Sequence, residues 1–355
     1  MSVNPYPADA LILAPLSGYT DLAFRRQCRR QGCRYAFTPL VDVGSVVYRN
    51  PRSDRNLLRG DDEPWLGLQI LGACPETVGE CVRRLRDYPF DLVDLNMGCP
   101  MPKITRRGAG AALSDTPKLA LRCLEAMVAA APWPVTVKIR ILDESDPAPT
   151  VALAQSLQRG GARALTVHGR IREKVYAGPV KFDVIAAVRE ALNIPVIANG
   201  GVVDRAAAAA LRAHTGCGRL MIARGAIGNP WIFRELLDPR APPPSHREVC
   251  TAMREQVADM VSLYGEDAGL RNARKIVLAY LVGRGYRRSR RHRVATLATW
   301  SQFDAFYREV LDEGPVDRSG SFAPPDPPDR SDQSDQSDQS DPPASAPLWH
   351  SLRRR

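Results

Sequence analysis

The sequence contains no Cys-x-x-Cys pair. Its 8 cysteines, at 28, 33, 74, 81, 99, 123, 217 and 250, follow no framework spacing. That argues against zinc and iron–sulfur sites, so no metal is expected, and it points to reduced thiols in a cytoplasm. No apolar run is long enough to span a bilayer, so no membrane partner is expected. Residues 1–10 lack a basic stretch followed by an apolar core, and no secretory leader is expected. No Gly-x-Gly-x-x-Gly opens a helix after the first apolar segment, which weakens a Rossmann reading.

What is present is enough for a large core: 355 residues, 44% of them hydrophobic. Short apolar segments recur at 11–14, 35–40, 65–71, 91–96, 135–140, 164–168, 195–199 and 219–224. Helix-like stretches separate most of them, at 21–31, 77–87, 116–130, 149–159, 183–191 and 205–214. Strands alternating with helices predict parallel strands joined by crossovers. Their number and spacing predict an α/β chain with a (β/α)8 TIM barrel over 1–240.

Barrel enzymes carry their chemistry at the C-terminal strand tips. The first segment ends in Pro15-Leu16-Ser17 and the third carries Gln69. The fourth reaches Asn96 and breaks at Gly98-Cys99-Pro100, because proline cannot continue the ladder. A thiol at a strand tip beside an amide suits a proton donor or a nucleophile. Taken alone, the same pattern is equally a small buried cysteine in a tight turn. The fifth segment carries Lys138 and Arg140, the sixth ends in His168-Gly169-Arg170, the seventh in Asn199-Gly200-Gly201, and the eighth in Ala223-Arg224-Gly225. Polar groups recurring at one end of successive strands describe a pocket at one barrel mouth. The glycines and Arg224 after the last two strands suit a phosphate, so flavin mononucleotide or pyridoxal phosphate fits.

These residues resemble the tRNA-dihydrouridine synthase family. The resemblance runs from about 11 to about 285 and rests on the runs 14–25, Leu68-Gln69-Ile70-Leu71-Gly72, 94–100 and Val137-Lys138-Ile139-Arg140. It continues through Val167-His168-Gly169-Arg170, Tyr176-Ala177-Gly178, 197–201 and 221–226. It implies a flavoenzyme that reduces specific tRNA uridines, with FMN bound and NADPH as reductant. Pro15, Leu16, Ser17, Gln69, Lys138, His168, Asn199, Gly200, Gly201, Ala223 and Arg224 would hold FMN. Cys99 would be the catalytic acid, giving its proton to C5 while hydride reaches C6. Asn96, Lys138, Arg140, His168, Arg170 and Tyr176 would meet the substrate. Leu16 stands where methionine is usual, Ala223 where glycine is usual and Phe182 where tryptophan is common.

The pattern changes after Pro242-Pro243-Pro244, a linker signal. Stretches 245–263, 270–282 and 294–311 read as helices and predict an all-helical domain over 245–313. No acidic residue lies between Asp267 and Asp304, an interval holding Arg271, Arg274, Lys275, Arg284, Arg287, Arg288, Arg290, Arg291 and Arg293. The net charge of +10 is therefore concentrated where a helical domain could meet an RNA backbone. Arg271, Arg274 and Lys275 also resemble the start of the family's RNA-binding helices, which makes tRNA the expected partner. Residues 314–355, rich in Pro, Asp and Ser, are expected to be disordered. A monomer is expected. Two other readings compete: an FMN barrel acting on a free pyrimidine, as in dihydroorotate or dihydropyrimidine dehydrogenases, and an RNA-binding protein that has lost catalysis. The basic domain disfavours the first, and Cys99, Lys138 and His168 disfavour the second.

Overall fold

The computed structural model describes residues 5–50 and 52–316. The expectation of disorder over 314–355 falls almost wholly outside them. Eight parallel strands close into a barrel: β1 (Leu11–Leu13), β2 (Tyr35–Phe37), β3 (Leu66–Leu71), β4 (Leu92–Met97), β5 (Val135–Arg140), β6 (Leu165–His168), β7 (Val196–Asn199) and β8 (Leu220–Ile222). Each pairs with the next, and β8 pairs with β1 through Leu11↔Leu220 and Ile12↔Met221. The expected second segment is shorter than its apolar run. It stops at Phe37, and Val41–Asp42 then pairs separately with Ile70 and Leu71.

Strand parity sorts the side chains, because successive residues face opposite sides of a strand. Val93, Leu95 and Met97 of β4, with Val135, Val137 and Ile139 of β5, join the core between barrel and helices. The other parity faces inward. Ile12, Phe37, Leu92, Ile197 and Met221 fill the lower interior with Tyr6. Trp65 packs on Tyr6, Tyr35 and Phe37 with ring centroids 5.3–5.7 Å apart. Higher up the same parity carries Gln69, Asp94, Asn96, Thr136, Lys138 and Arg140, so the interior turns polar toward the strand tips.

Helix Leu22–Arg30 starts where the Asp21 carboxylate accepts from Phe24 N–H at 2.9 Å. Its Arg25 reaches the buried Glu63 through Nε and Nη2, at 2.8 and 2.9 Å. C-terminal helices His246–Tyr264, Glu266–Leu281 and Trp300–Glu313 pack around Phe303, Phe306, Tyr280 and Met253, a cluster that also takes in Ala23 and Trp231. Tyr264 Oη donates to Asp21 at 3.0 Å, so this layer is tied to the loop after β1. The expected helix over 294–311 is split. Thr299 caps a new helix through a reciprocal box with Gln302, leaving Val294–Thr296 as a separate 3-10 turn. Arg288–Arg293 forms a short helix of its own. Among the described residues no helix is long and apolar enough to cross a membrane.

Candidate active site

The β4 tip holds Cys99 from both sides of its backbone. Asn96 Oδ1 accepts from Gly98 N–H at 3.1 Å and from Cys99 N–H at 3.0 Å, closing the turn. Ala111 N–H donates to the Cys99 carbonyl at 2.9 Å. Gly110, at φ +63°, lets that segment approach; a Cβ there would stand 2.6 Å from the same carbonyl. Burial pushes the Cys99 thiol up, against a hydrogen bond from Met101 N–H and the charges of Arg140 and Lys138. A thiol so placed keeps its proton at neutral pH, which suits a donor better than a thiolate nucleophile.

Asn96 Nδ2 donates to Gln69 Oε1 at 2.7 Å, and Gln69 Nε2 donates to Asp94 Oδ2 at 2.7 Å. The other Asp94 oxygen accepts from Thr136 Oγ1 at 2.6 Å. Register builds this layer, since Gln69 is opposite Asp94 and Asp94 opposite Thr136. Burial raises the Asp94 carboxyl to about 6, against Thr136, Gln69 and the nearby Lys138 charge. One layer up, Lys138 is opposite Asn96, Arg140 opposite His168, and His168 opposite Asn199. Burial, and next the Arg140 charge, lower the Lys138 amine to about 7, while Asp94 and Cys99 raise it. His168 is held well below its usual value by burial and by Lys138, Arg140, Arg170 and Arg224, so it is a neutral imidazole near pH 7.

Arg140 anchors the neighbouring turns, donating from Nε to the Gly98 carbonyl at 2.7 Å and from Nη1 to the Ile171 carbonyl at 3.2 Å. Arg170 Nε donates to the Gly178 carbonyl at 2.8 Å. Between these lies Tyr176, its ring 4.3 Å from Arg224 and 5.9 Å from Arg140. The loop that presents Tyr176 is strained: Val175, β-branched, sits at φ +50°. Among the described residues none of Lys138, Arg140, Arg170 and Arg224 makes an ion pair. His168 Nδ1 and Arg170 Nη1 are buried without a hydrogen-bond partner. Gly200 and Gly201 adopt φ +126° and +72°, forming a backbone cradle bordered by His168 and Val180. Asn199 Nδ2 is turned away from it, donating to the Met221 carbonyl at 2.8 Å. Cations without an ion pair among the described residues, buried nitrogens without a partner there and a glycine cradle together fit an anionic, ring-bearing ligand such as a flavin phosphate.

This arrangement has relatives. A family model described as dihydrouridine synthase matches residues 12–310. The chain belongs to the dihydrouridine synthase family. It is 36% identical over 287 residues to tRNA-dihydrouridine synthase B of Shewanella oneidensis, covering 79% of this chain and 89% of that one. It is 37% identical over 289 residues to tRNA-dihydrouridine synthase B of Pseudomonas aeruginosa, covering 79% of this chain and 86% of that one. Histamine dehydrogenase from Rhizobium sp. 4-9 is similar in fold alone, at a TM-score of 0.51 and 11% identity, over 73% of this chain and 50% of that one.

Not every residue expected to act in this dihydrouridine synthase family member stands free at the mouth. Both ends of the Gln69 amide are engaged within the protein, as are both ends of Asn96. Pro15, Leu16 and Ser17 lie in the β1 loop, where Thr20 Oγ1 clasps Leu16, accepting from its N–H at 2.8 Å and donating to its carbonyl at 3.0 Å. Ala223 lies just past β8, immediately before Arg224. Lys275 turns inward over the Tyr19 ring at 4.4 Å, and Arg274 Nε donates to the Leu297 carbonyl at 2.9 Å. Arg271 is exposed and pairs with Asp267 one helical turn before it. Arg290 pairs with Glu309 and Glu313, and Arg293 with Glu309. Two buried residues were not singled out from sequence: Asp94 and Thr136. Their signal was parity, since 94 and 96 share a face, as do 136, 138 and 140.

Proposed function

We propose that the protein is a tRNA-dihydrouridine synthase that uses FMN and NADPH, with residues 1–240 as the catalytic barrel and 245–313 as the tRNA-binding domain. The observation that carries the reading is a protonated thiol on a fixed turn at the mouth of a barrel whose cations make no ion pair among the described residues. Gly200, Gly201 and Arg224 would hold the FMN phosphate, with Ala223 beside them. Lys138, His168, Asn199 and the Pro15-Leu16-Ser17 loop would border its ring, with Gln69 buried beneath them.

When bound, the reduced flavin would supply a hydride to C6 of the uracil ring. The protein's own groups do the rest. Cys99 transfers the thiol proton to C5 and is left as a thiolate, reprotonated from solvent. Negative charge that develops on the C4 carbonyl oxygen is stabilised by a cation or an N–H donor, roles that fit Lys138 and neutral His168. Arg140, by holding the Gly98 and Ile171 carbonyls, fixes the wall in which the base would lie. Tyr176 and Arg170 border the same opening, and Asn96 places the thiol. The target uridine must leave its stack, which costs a few kcal/mol and less in a loop. Exposed arginines of the helical layer, Arg271 among them, would meet the phosphate backbone.

The test presents FMN-loaded protein and NADPH with unmodified tRNA or with a free pyrimidine such as uracil or orotate. NADPH consumption and dihydrouridine formation with tRNA alone support the reading. Turnover of the free base without tRNA reduction transfers the assignment to a free-pyrimidine reductase.

A further inference from the structure

We propose that Asp94 is a positioning residue for Cys99, acting through the amides of Gln69 and Asn96. The inference rests on the reading of Cys99 as the proton donor. It follows from the direction of the hydrogen bonds. The backbone N–H groups of Gly98 and Cys99 can only donate, so the group of Asn96 that faces them must be its oxygen. Asn96 then offers N–H to Gln69, which must answer with Oε1. Gln69 in turn offers N–H to Asp94, whose carboxylate accepts. Each link fixes the next, and the acceptor end is Asp94.

An amide can be turned over by exchanging its oxygen and nitrogen at little steric cost. What prevents this here is agreement between the two ends of the chain: fixed donors at Cys99 and a fixed acceptor at Asp94. Gln69 is 0% exposed and Asp94 1% exposed, so water cannot substitute for a lost partner. The groups lie on adjacent strands β3, β4 and β5, which are rigid relative to loops. Without an acceptor at 94, the Gln69 N–H is stranded. Turning the amide to relieve it sets N–H against N–H at Asn96. The strain then falls on the Gly98-Cys99 turn, which lies past the end of β4 and outside the sheet ladder. Thr136 has a secondary part. Its hydroxyl can donate or accept, so an amide at 94 could give its oxygen to Gln69 and its N–H to Thr136.

That distinction supplies the test. Asp94→Leu, Asp94→Asn, Asp94→Asn with Thr136→Val, and Gln69→Met are compared with wild type and Cys99→Ala. The readouts are kcat, KM for tRNA, and amide hydrogen exchange of the peptide spanning 92–101. Asp94→Leu and Gln69→Met should each lower kcat about 100-fold with little change in KM, the penalty of a displaced reacting group. Exchange at Gly98 and Cys99 should rise about tenfold in both, as their amides lose the Asn96 oxygen. Asp94→Asn should retain protection at the turn and most of kcat, and the added Thr136→Val should remove both. Gln69→Met keeps the test decisive if Asp94→Leu does not fold. Unchanged exchange and kcat in Asp94→Leu, or equal loss in Asp94→Asn and Asp94→Leu, would overturn the proposal. Full activity of Cys99→Ala would instead overturn the donor reading, while the exchange measurement would still report on Asp94.

Discussion

The guanidinium of Arg224 lies 4.3 Å from the centre of the Tyr176 ring and, among the described residues, makes no ion pair with a carboxylate. An arginine set against an aromatic face keeps hydrogen-bond donors for an anion. Arg224→Ala should weaken FMN binding about tenfold or more, the scale of a lost charge-assisted hydrogen bond. Tyr176→Phe keeps the ring face and should bind FMN as wild type does. Titration by quenching of FMN fluorescence checks both; equal binding by Arg224→Ala would place the phosphate elsewhere.

The burial of Lys138 costs stability. Burial, then the Arg140 charge, lower its amine to about 7, whereas the unfolded chain holds it near about 10.4. Between those values the unfolded state binds the extra proton, so wild-type stability rises with pH. Lys138→Met should therefore raise the Tm of the flavin-free protein. Its advantage over wild type should be largest near pH 7 and should shrink toward pH 10. Thermal melts across that range check the sign, and dihydrouridine formation should be lost.

Glu63 anchors the first crossover helix. Burial alone would raise its carboxyl, but Arg25, Gly60 N–H and Arg29 outweigh that and hold it below its usual value. A lowered carboxyl contributes stability above its unfolded value and loses it as pH falls through the folded one. Glu63→Gln leaves two buried guanidinium groups facing a neutral amide and should cost about 3 to 5 kcal/mol at pH 7. The gap between wild type and variant should close below about pH 4, where Glu63 itself becomes protonated. Urea unfolding at pH 7 and at lower pH checks both statements.

The cations of the helical layer are not equivalent. Arg271 is exposed, and its partner Asp267 lies one turn away on the same helix, a weak pair. Arg271→Gln should weaken tRNA binding and reduce the slope of log affinity against log salt by about 1. Arg290 is mostly covered and is held by Glu309 and Glu313. Arg290→Gln should lower Tm and leave the salt slope unchanged. Filter binding at several salt concentrations, beside melting curves, separates the two behaviours.

The barrel was readable because its strands are apolar runs punctuated by glycine and proline, and because Cys99, Lys138, His168 and Asn199 interrupt that apolarity at the strand tips. The helical split at Thr299 was less readable, since 294–311 keeps an amphipathic period through its own cap. The basic stretch was misleading in a specific way. The acids that neutralise Arg290 and Arg293 come from the following helix, beyond Asp304, where a count along the chain does not look. Lys275 and Arg274 face inward because of how one helix is rotated against Tyr19 and Leu297. Asp94 required the pairing register, Gln69↔Asp94↔Thr136, which sequence parity suggests but does not align.

The central claim is that Cys99 protonates a tRNA uridine. FMN-loaded wild type and Cys99→Ala, with NADPH and unmodified tRNA, should be compared by counting dihydrouridine at each position by mass spectrometry. The account predicts dihydrouridine in the D-loop with wild type, and a rate about 10² to 10⁴ lower in the variant at equal FMN content. Equal rates in the two proteins would contradict it.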